Sequence, residues 1–198
     1  MTGRNHRSER FSFAGLLDRT HDHVRRRKGA SKLAKQKTLD DLFLDTLKDI
    51  YYAERKILKA LPKMARGAQS EKLRAAFEKH KDETEGQVER LQQVFEILGK
   101  RAQGKTCPAI DGIIEEGEEI MEEFKDTPAL DAGLVSAAQA VEHYEITRYG
   151  TLKRWAQMLG MDDAARLLDQ TLAEESKTDE DLTAFADSSA NQKAMMAA

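Results

Sequence analysis

Four segments of this chain repeat apolar residues at helical spacing, and each stripe carries an ionisable side chain where a core would hold an apolar one. The first stripe runs Phe43, Leu47, Ile50, Ile57, Leu58 and Leu61, with Glu54 among them. The second, Leu73, Phe77 and Leu91, includes His80, and Glu83 follows three residues later on the same face. The third, Leu134, Ala138, Val141, Tyr149 and Leu152, contains Glu145, with Glu142 one turn earlier. On the fourth, Glu175 falls between Leu172 and Leu182. A buried carboxylate is costly unless something positive sits beside it. Six such groups aimed at one interior call for a cation, and the layout is that of a carboxylate-bridged two-metal site inside a helical bundle.

The punctuation between the stripes sets the connectivity. Thr38 with Asp41 at the capping-box distance opens the first helix, and Pro62 is expected to kink or end it. Ser70 is placed to cap the second helix, which stops at Gly99. More than 25 residues then separate Gly99 from Thr127, too long for a plain turn, and Ile110 to Phe124 reads as a short extra helix outside the bundle. Thr127-Pro128 is expected to start the third helix and Asp162 to cap the fourth. The polar, small-residue end from Ser188 to Ala198 is expected to fray. Hairpin, long crossover, hairpin is the ferritin-like arrangement of an all-α four-helix bundle, here spanning residues 38–187.

Heights along the bundle agree with this. Glu54 and His80 each lie 13 residues from Gly67, and Glu145 and Glu175 each lie 15 residues from Gly160. At about 1.5 Å per residue, all four sit roughly 20 Å from their turns, so partners within each hairpin are level. Oxygen ligands with a single imidazole suit iron or manganese better than zinc. Two such ions about 3.5–4 Å apart can exchange electrons with peroxide or O₂. Tyr51, Tyr52, Tyr144 and Tyr149 flank the ligand positions, where core packing or a hydrogen bond to a ligand is open to each. His143 lies off the stripe and reads as a supporting or surface group.

Composition narrows the classes. Charged residues make up 34% of the chain against 6% aromatic, and no apolar run approaches the roughly 18 residues of a membrane span, so a soluble protein is expected; the first residues lack the apolar core of a secretory signal, which fits a cytoplasmic location. A single cysteine, Cys107, rules out an intramolecular disulfide framework and reads as a loop thiol without a role. Residues 1–37 carry eleven Lys and Arg against Glu9, Asp18 and Asp22, a charge of +8, which leaves −11 on the remainder of a chain of net −3. This thinly apolar segment is expected to be a disordered tail, and its charge suits nucleic-acid phosphates.

The stretches LKDIYYAERKILKALPKMA (47–65), LRAAFEKHKDETEGQVERLQQVFEILG (73–99) and AAQAVEHYEITRYGTLKRWAQMLG (137–160) resemble the YciE/YciF group of bacterial ferritin-like stress proteins. The likeness covers about residues 38–187 and is carried above all by the HxxET and AVEHYE elements. It implies a compact helical bundle, often dimeric, with a dinuclear metal site related to those of ferritins and rubrerythrins. One departure stands out. Ferritin-like relatives carry Glu-x-x-His on two helices, whereas this chain reads His80-x-x-Glu83, Glu142-x-x-Glu145 and Glu175-x-x-Thr178. The site is therefore expected to be harder, more anionic and asymmetric.

Three functions compete at this point. The first is a di-iron or dimanganese protein that consumes peroxide or handles iron under stress. The second is a protective binder that holds DNA through residues 1–37 without turnover. The third is an interaction bundle whose inward acids are remnants.

Overall fold

The computed structural model of the chain describes residues 36–196, so nearly all of the basic tail, and with it the expectation of disorder there, lies outside the described residues. Five long helices follow: α1 (Leu39–Gly67), α2 (Glu71–Ile97), α3 (Pro108–Glu123), α4 (Leu130–Met158) and α5 (Asp162–Phe185). The described chain contains no strand. α1 opens with the capping box read from the sequence: the Thr38 hydroxyl accepts from the Asp41 N–H, and the Asp41 carboxylate accepts from the Thr38 N–H at 2.9 Å. Its apolar face, Phe43, Leu47, Ile50, Ile57 and Leu61, is buried.

Pro62 does not end α1, which continues to Gly67. Proline removes one backbone bond, but Met64 and Ala65 just beyond it are buried, and their packing carries the helix past the gap. α2 and α4 close as expected at Gly99 (φ 62°) and Gly160 (φ 72°), where the left-handed backbone favours glycine. At each end the next residue's N–H reaches back five residues, Lys100 to Phe95 and Met161 to Ala156, both at 2.9 Å.

Three start signals differ from the sequence reading. Thr127 and Pro128 fall in the turn before α4, because the Thr127 hydroxyl donates back to the Phe124 carbonyl at 2.7 Å and closes that turn instead. Asp162 is the first residue of α5, with Met161 at the cap. Ser70 occupies the cap of α2, but its hydroxyl makes no capping bond. The buried carboxylate of Asp131, from α4, accepts the N–H groups of Gln69 and Ser70 at 2.8 and 2.9 Å. That contact holds the starts of α2 and α4 at the same end of the bundle. Asp131→Ala leaves two amide donors without their acceptor and is expected to lower stability by about 1–3 kcal/mol, read as a shift in urea midpoint at unchanged m-value.

The long crossover is the reason α2 and α4 run parallel. Its first residues are fastened to the lower part of α1, where the Lys105 N–H donates to the Lys48 carbonyl at 3.0 Å. Gly104 passes so close to α1 that a Cβ there would come within 3.1 Å of the Tyr52 Cβ. α3 then climbs alongside α1, tied by Tyr52 to Asp111 at 2.9 Å and by Lys63 to Glu118 at 2.6 Å. α4 descends and α5 returns against it, with Lys153–Asp169 and His143–Asp179 marking the antiparallel pair. The helix of the crossover thus covers 16 residues, close to the segment expected.

Past α5 the chain does not fray at Ser188. A five-residue π-helical turn (Ala186–Ala190) and α6 (Asn191–Met196) keep it helical, with Ala190 buried. Cys107 is another departure, being buried at the head of α3 with its Sγ 3.3 Å from the Tyr144 hydroxyl. No described helix is long and apolar enough to cross a membrane.

Candidate metal centre

Each of the four bundle helices delivers ionisable side chains to one interior level. Glu54 from α1, Glu142 and Glu145 from α4, and Glu175 from α5 are all essentially inaccessible to solvent, and His80 from α2 is 4% exposed. One donor atom each from His80, Glu142, Glu145 and Glu175 lies within 4.8 Å of all the others. His80 Nε2 lies 3.2 Å from Glu142 Oε1.

The six candidates do not stand equally. Glu54 adjoins the quartet through Glu145, and its Oε1 accepts a hydrogen bond from the buried Tyr149 hydroxyl. Glu83 is at the edge, its carboxylate 3.9 Å from His80 Nδ1 and bonded to Lys79 on the solvent side. Of the flanking tyrosines only Tyr149 reaches a candidate ligand. Tyr51 meets Gln92, Tyr52 meets Asp111 and Tyr144 meets Asp49. His143 is exposed and faces Asp179, as its place off the stripe implies.

Burial sets the electrostatics. It pushes the Glu54 carboxyl up to about 7, partly opposed by the Tyr149 hydrogen bond and by His80. Glu145 is held well above the ordinary carboxylate range by burial and then by Glu54 and Glu175. Glu175 is raised by burial, Glu54 and Glu142, against the opposing charge of His80. For His80, burial favours the neutral ring, yet Glu142, Glu83 and Glu175 outweigh it and raise the imidazole well above its usual value. Glu83 moves the other way, down to about 2, chiefly through His80, with burial opposing and Lys79 assisting.

The polar atoms nevertheless lack partners. Among the described residues, buried atoms without a hydrogen bond are Glu54 Oε2, both ring nitrogens of His80, Glu142 Oε2, both oxygens of Glu145, both oxygens of Glu175 and Gln87 Oε1. The His80–Glu142 approach is close enough for an ion pair but lacks hydrogen-bond alignment. Buried polar atoms are ordinarily paired, and here every one but Gln87 Oε1 belongs to a candidate ligand. Carboxylate oxygens and one imidazole are donors that iron or manganese takes, and these unpartnered atoms fit such an ion.

Supporting groups surround it. The Thr84 hydroxyl donates to the His80 carbonyl at 2.8 Å, and Arg90 grips Glu174, one residue before Glu175. Gln87, fully buried, donates to the same Glu174 at 3.2 Å. The second apolar stripe itself passes through positions 84 and 87, so polar residues there were the available signal. Tyr149→Phe removes the donor to Glu54 and is expected to weaken metal binding about 10–100-fold without displacing the helices, read by competition with a chelator and by circular dichroism.

Fold and site together define the class: a ferritin-like helical bundle whose interior gathers an imidazole and a set of carboxylates. Its family model, described as "Domain of unknown function (DUF892)", matches residues 38–195, and the chain belongs to that family. Protein YciF of Escherichia coli (strain K12) is 45% identical over 159 residues, covering 80% of this chain and 96% of that protein. The crystal structure of the E. coli stress protein YciF aligns at a TM-score of 0.73 and 45% identity over 76% of this chain and 96% of that one. YcfI of Rhodopseudomonas palustris aligns with the same score at 49% identity, over 76% and 96% of the two chains. A Xanthomonas campestris protein at 21% identity, TM-score 0.60, covering 75% and 90%, shares the fold.

Proposed function

We propose that this YciF-like chain holds two iron or manganese ions among Glu54, His80, Glu83, Glu142, Glu145 and Glu175 and uses them against peroxide or O₂ under stress. The observation that carries the reading is the convergence of unpartnered, buried carboxylate oxygens and imidazole nitrogens from four helices on one level. Bound there, two redox-active ions would supply electron exchange with peroxide or O₂.

The chain's own residues have separable tasks. Tyr149 holds one oxygen of Glu54 and leaves Oε2 free. Glu145 and Glu175, whose carboxyls burial holds well above the ordinary range, would release protons on loading. Glu83, its carboxylate 3.9 Å from Nδ1, places a negative charge beside the His80 ring. Glu54, His80, Glu142, Glu145 and Glu175 lie almost wholly out of contact with solvent, which strengthens the charge interactions among them.

Metal analysis of protein purified without a metal-recruiting tag tests the reading. About two Fe or Mn per chain is the expected result, and a metal-free chain that refuses Fe(II) and Mn(II) overturns it. The charge of +8 on residues 1–37 supports a second activity, salt-sensitive binding of nucleic acid. A mobility shift lost on deleting those residues is the expected outcome. We also propose a homodimer, to be checked by light scattering.

A further inference from the structure

A cavity of about 400 Å³ adjoins the centre on the side of the α1–α2 turn, and its floor includes His80 and Glu142. Its walls come from all five long helices and are mostly apolar: Leu61, Leu73, Phe77, Met121, Leu182 and Phe185 are among them. The space exists because small residues, Ala60, Ala137, Ala138 and Gly117, stand where larger ones would fill it, with Ala76 at its exposed mouth. Two of the buried side chains on its floor, His80 and Glu142, have polar atoms without partners.

Charge at the rim is uneven. The acidic lining residues are matched: Glu118 by Lys63, Glu83 by Lys79 and Asp181 by Lys177. Lys72 has no acidic partner within ion-pair distance among the described residues, and its ammonium lies over the Phe185 ring at 5.7 Å. It stands eight residues from His80 on α2, about 12 Å along the helix. With two divalent ions bound, five carboxylates would outnumber their four positive charges, so the floor would repel a further anion.

We propose that this cavity binds a medium-chain aliphatic anion, with its headgroup on Lys72 and its alkyl chain running between α2 and α5 towards His80 and Glu142. The direction of the chain rests on the two-metal reading; the binding itself rests on the cavity and Lys72. An unbranched chain fills a mostly apolar space, and Lys72, the lining lysine without an acidic partner, selects the head. The protein would thereby present methylene groups, rather than water, to the centre.

The test is calorimetric titration of the full-length chain, metal-free and Mn(II)-loaded, with decanoate, decanol and acetate. Decanoate is expected to saturate at one per chain and acetate not to bind. Lys72→Gln is expected to weaken decanoate about tenfold and leave decanol unchanged. Ala138→Leu fills the floor, and Ala76→Trp, at an exposed mouth position that does not endanger folding, blocks entry; each is expected to weaken both long-chain ligands at least tenfold. No saturable decanoate binding, or binding indifferent to both blocking variants, overturns the proposal. A stable dimer that excludes decanoate assigns the cavity to a second copy and overturns it as well. Metal content measured on the same samples keeps the two readings apart. A chain that binds decanoate at these residues but no metal retains the cavity and loses the centre, and a metal-bearing chain that refuses decanoate does the reverse.

Discussion

Replacing Glu145 and Glu175 together by Gln is expected to abolish metal uptake and, at the same time, to stabilise the metal-free chain at pH 8. Both carboxyls are buried without hydrogen-bond partners, and both are raised well above the ordinary range by burial and by neighbouring acids. Glutamine keeps the shape and is neutral at every pH, so the variant no longer bears the cost of either holding two buried protons that the unfolded chain releases at pH 8 or ionising the carboxyls in place. Its amide still lacks a full set of partners, which limits the gain to several kcal/mol rather than the whole ionisation penalty. Metal content and urea unfolding on the same preparation read both effects. If the variant binds two ions as well as the parent does, the centre has been misplaced. If it is less stable than the metal-free parent at pH 8, these acids are structural and the reading as an interaction bundle gains. Opposed changes in stability and binding are the mark of a site kept for function at a cost to the fold.

The metal-free chain is expected to lose stability as pH rises from about 5 to 8, opposite to an ordinary acid-sensitive protein. Glu54 moves from 4.5 in the unfolded chain to about 7 in the fold. Below pH 4.5 both states hold the proton and the group is neutral to stability. Between the two values the unfolded state releases its proton while the fold must keep it, and stability falls. Above about 7 the loss is complete, on the order of 3 kcal/mol for this group. Glu145 and Glu175 act in the same direction. So does His80: its raised value contributes stability below about 6.5 that is lost as pH rises through the folded value. Glu83 has the opposite sign, since its lowered value contributes stability above 4.5 that is lost only as pH falls through about 2. Metal loading should invert the slope, because ions compete with protons for the same oxygens. Melting temperatures from pH 5 to 8 in EDTA and in Mn(II) check this, and parallel curves in the two series would sink it.

Much of this arrangement was legible before any coordinates. Glu54, His80, Glu145 and Glu175 are recognisable because an apolar stripe of period 3.6 makes any ionisable member conspicuous. Their common level follows from counting residues back to Gly67 and Gly160, since a helix has a fixed rise and the two glycines mark the turns. The long connection between Gly99 and Thr127 required a crossover, and with it the ferritin-like order of helices. Periodicity and spacing are local quantities, and the chain carries them on its surface.

What lies between helices was decided elsewhere. Glu83 shares the face of His80 by spacing, yet Lys79 draws its carboxylate towards solvent and leaves it at the margin of the centre. Tyr149 was one of four comparable tyrosines until the crossing of α1 and α4 set its hydroxyl against Glu54. Ser70 occupies the cap of α2, but its hydroxyl makes no capping bond, and its own N–H goes to Asp131, 61 residues away. The cavity above His80 is beyond any one segment, because alanines scattered over α1, α2 and α4 become a single space only when the helices pack. The sequence by itself determined which helices form and which of their faces are charged, because backbone bonding and helical period act within a few residues. Only the tertiary structure decided which charges meet and which side chains support them, because those contacts depend on the relative position of elements that the chain brings together from far apart.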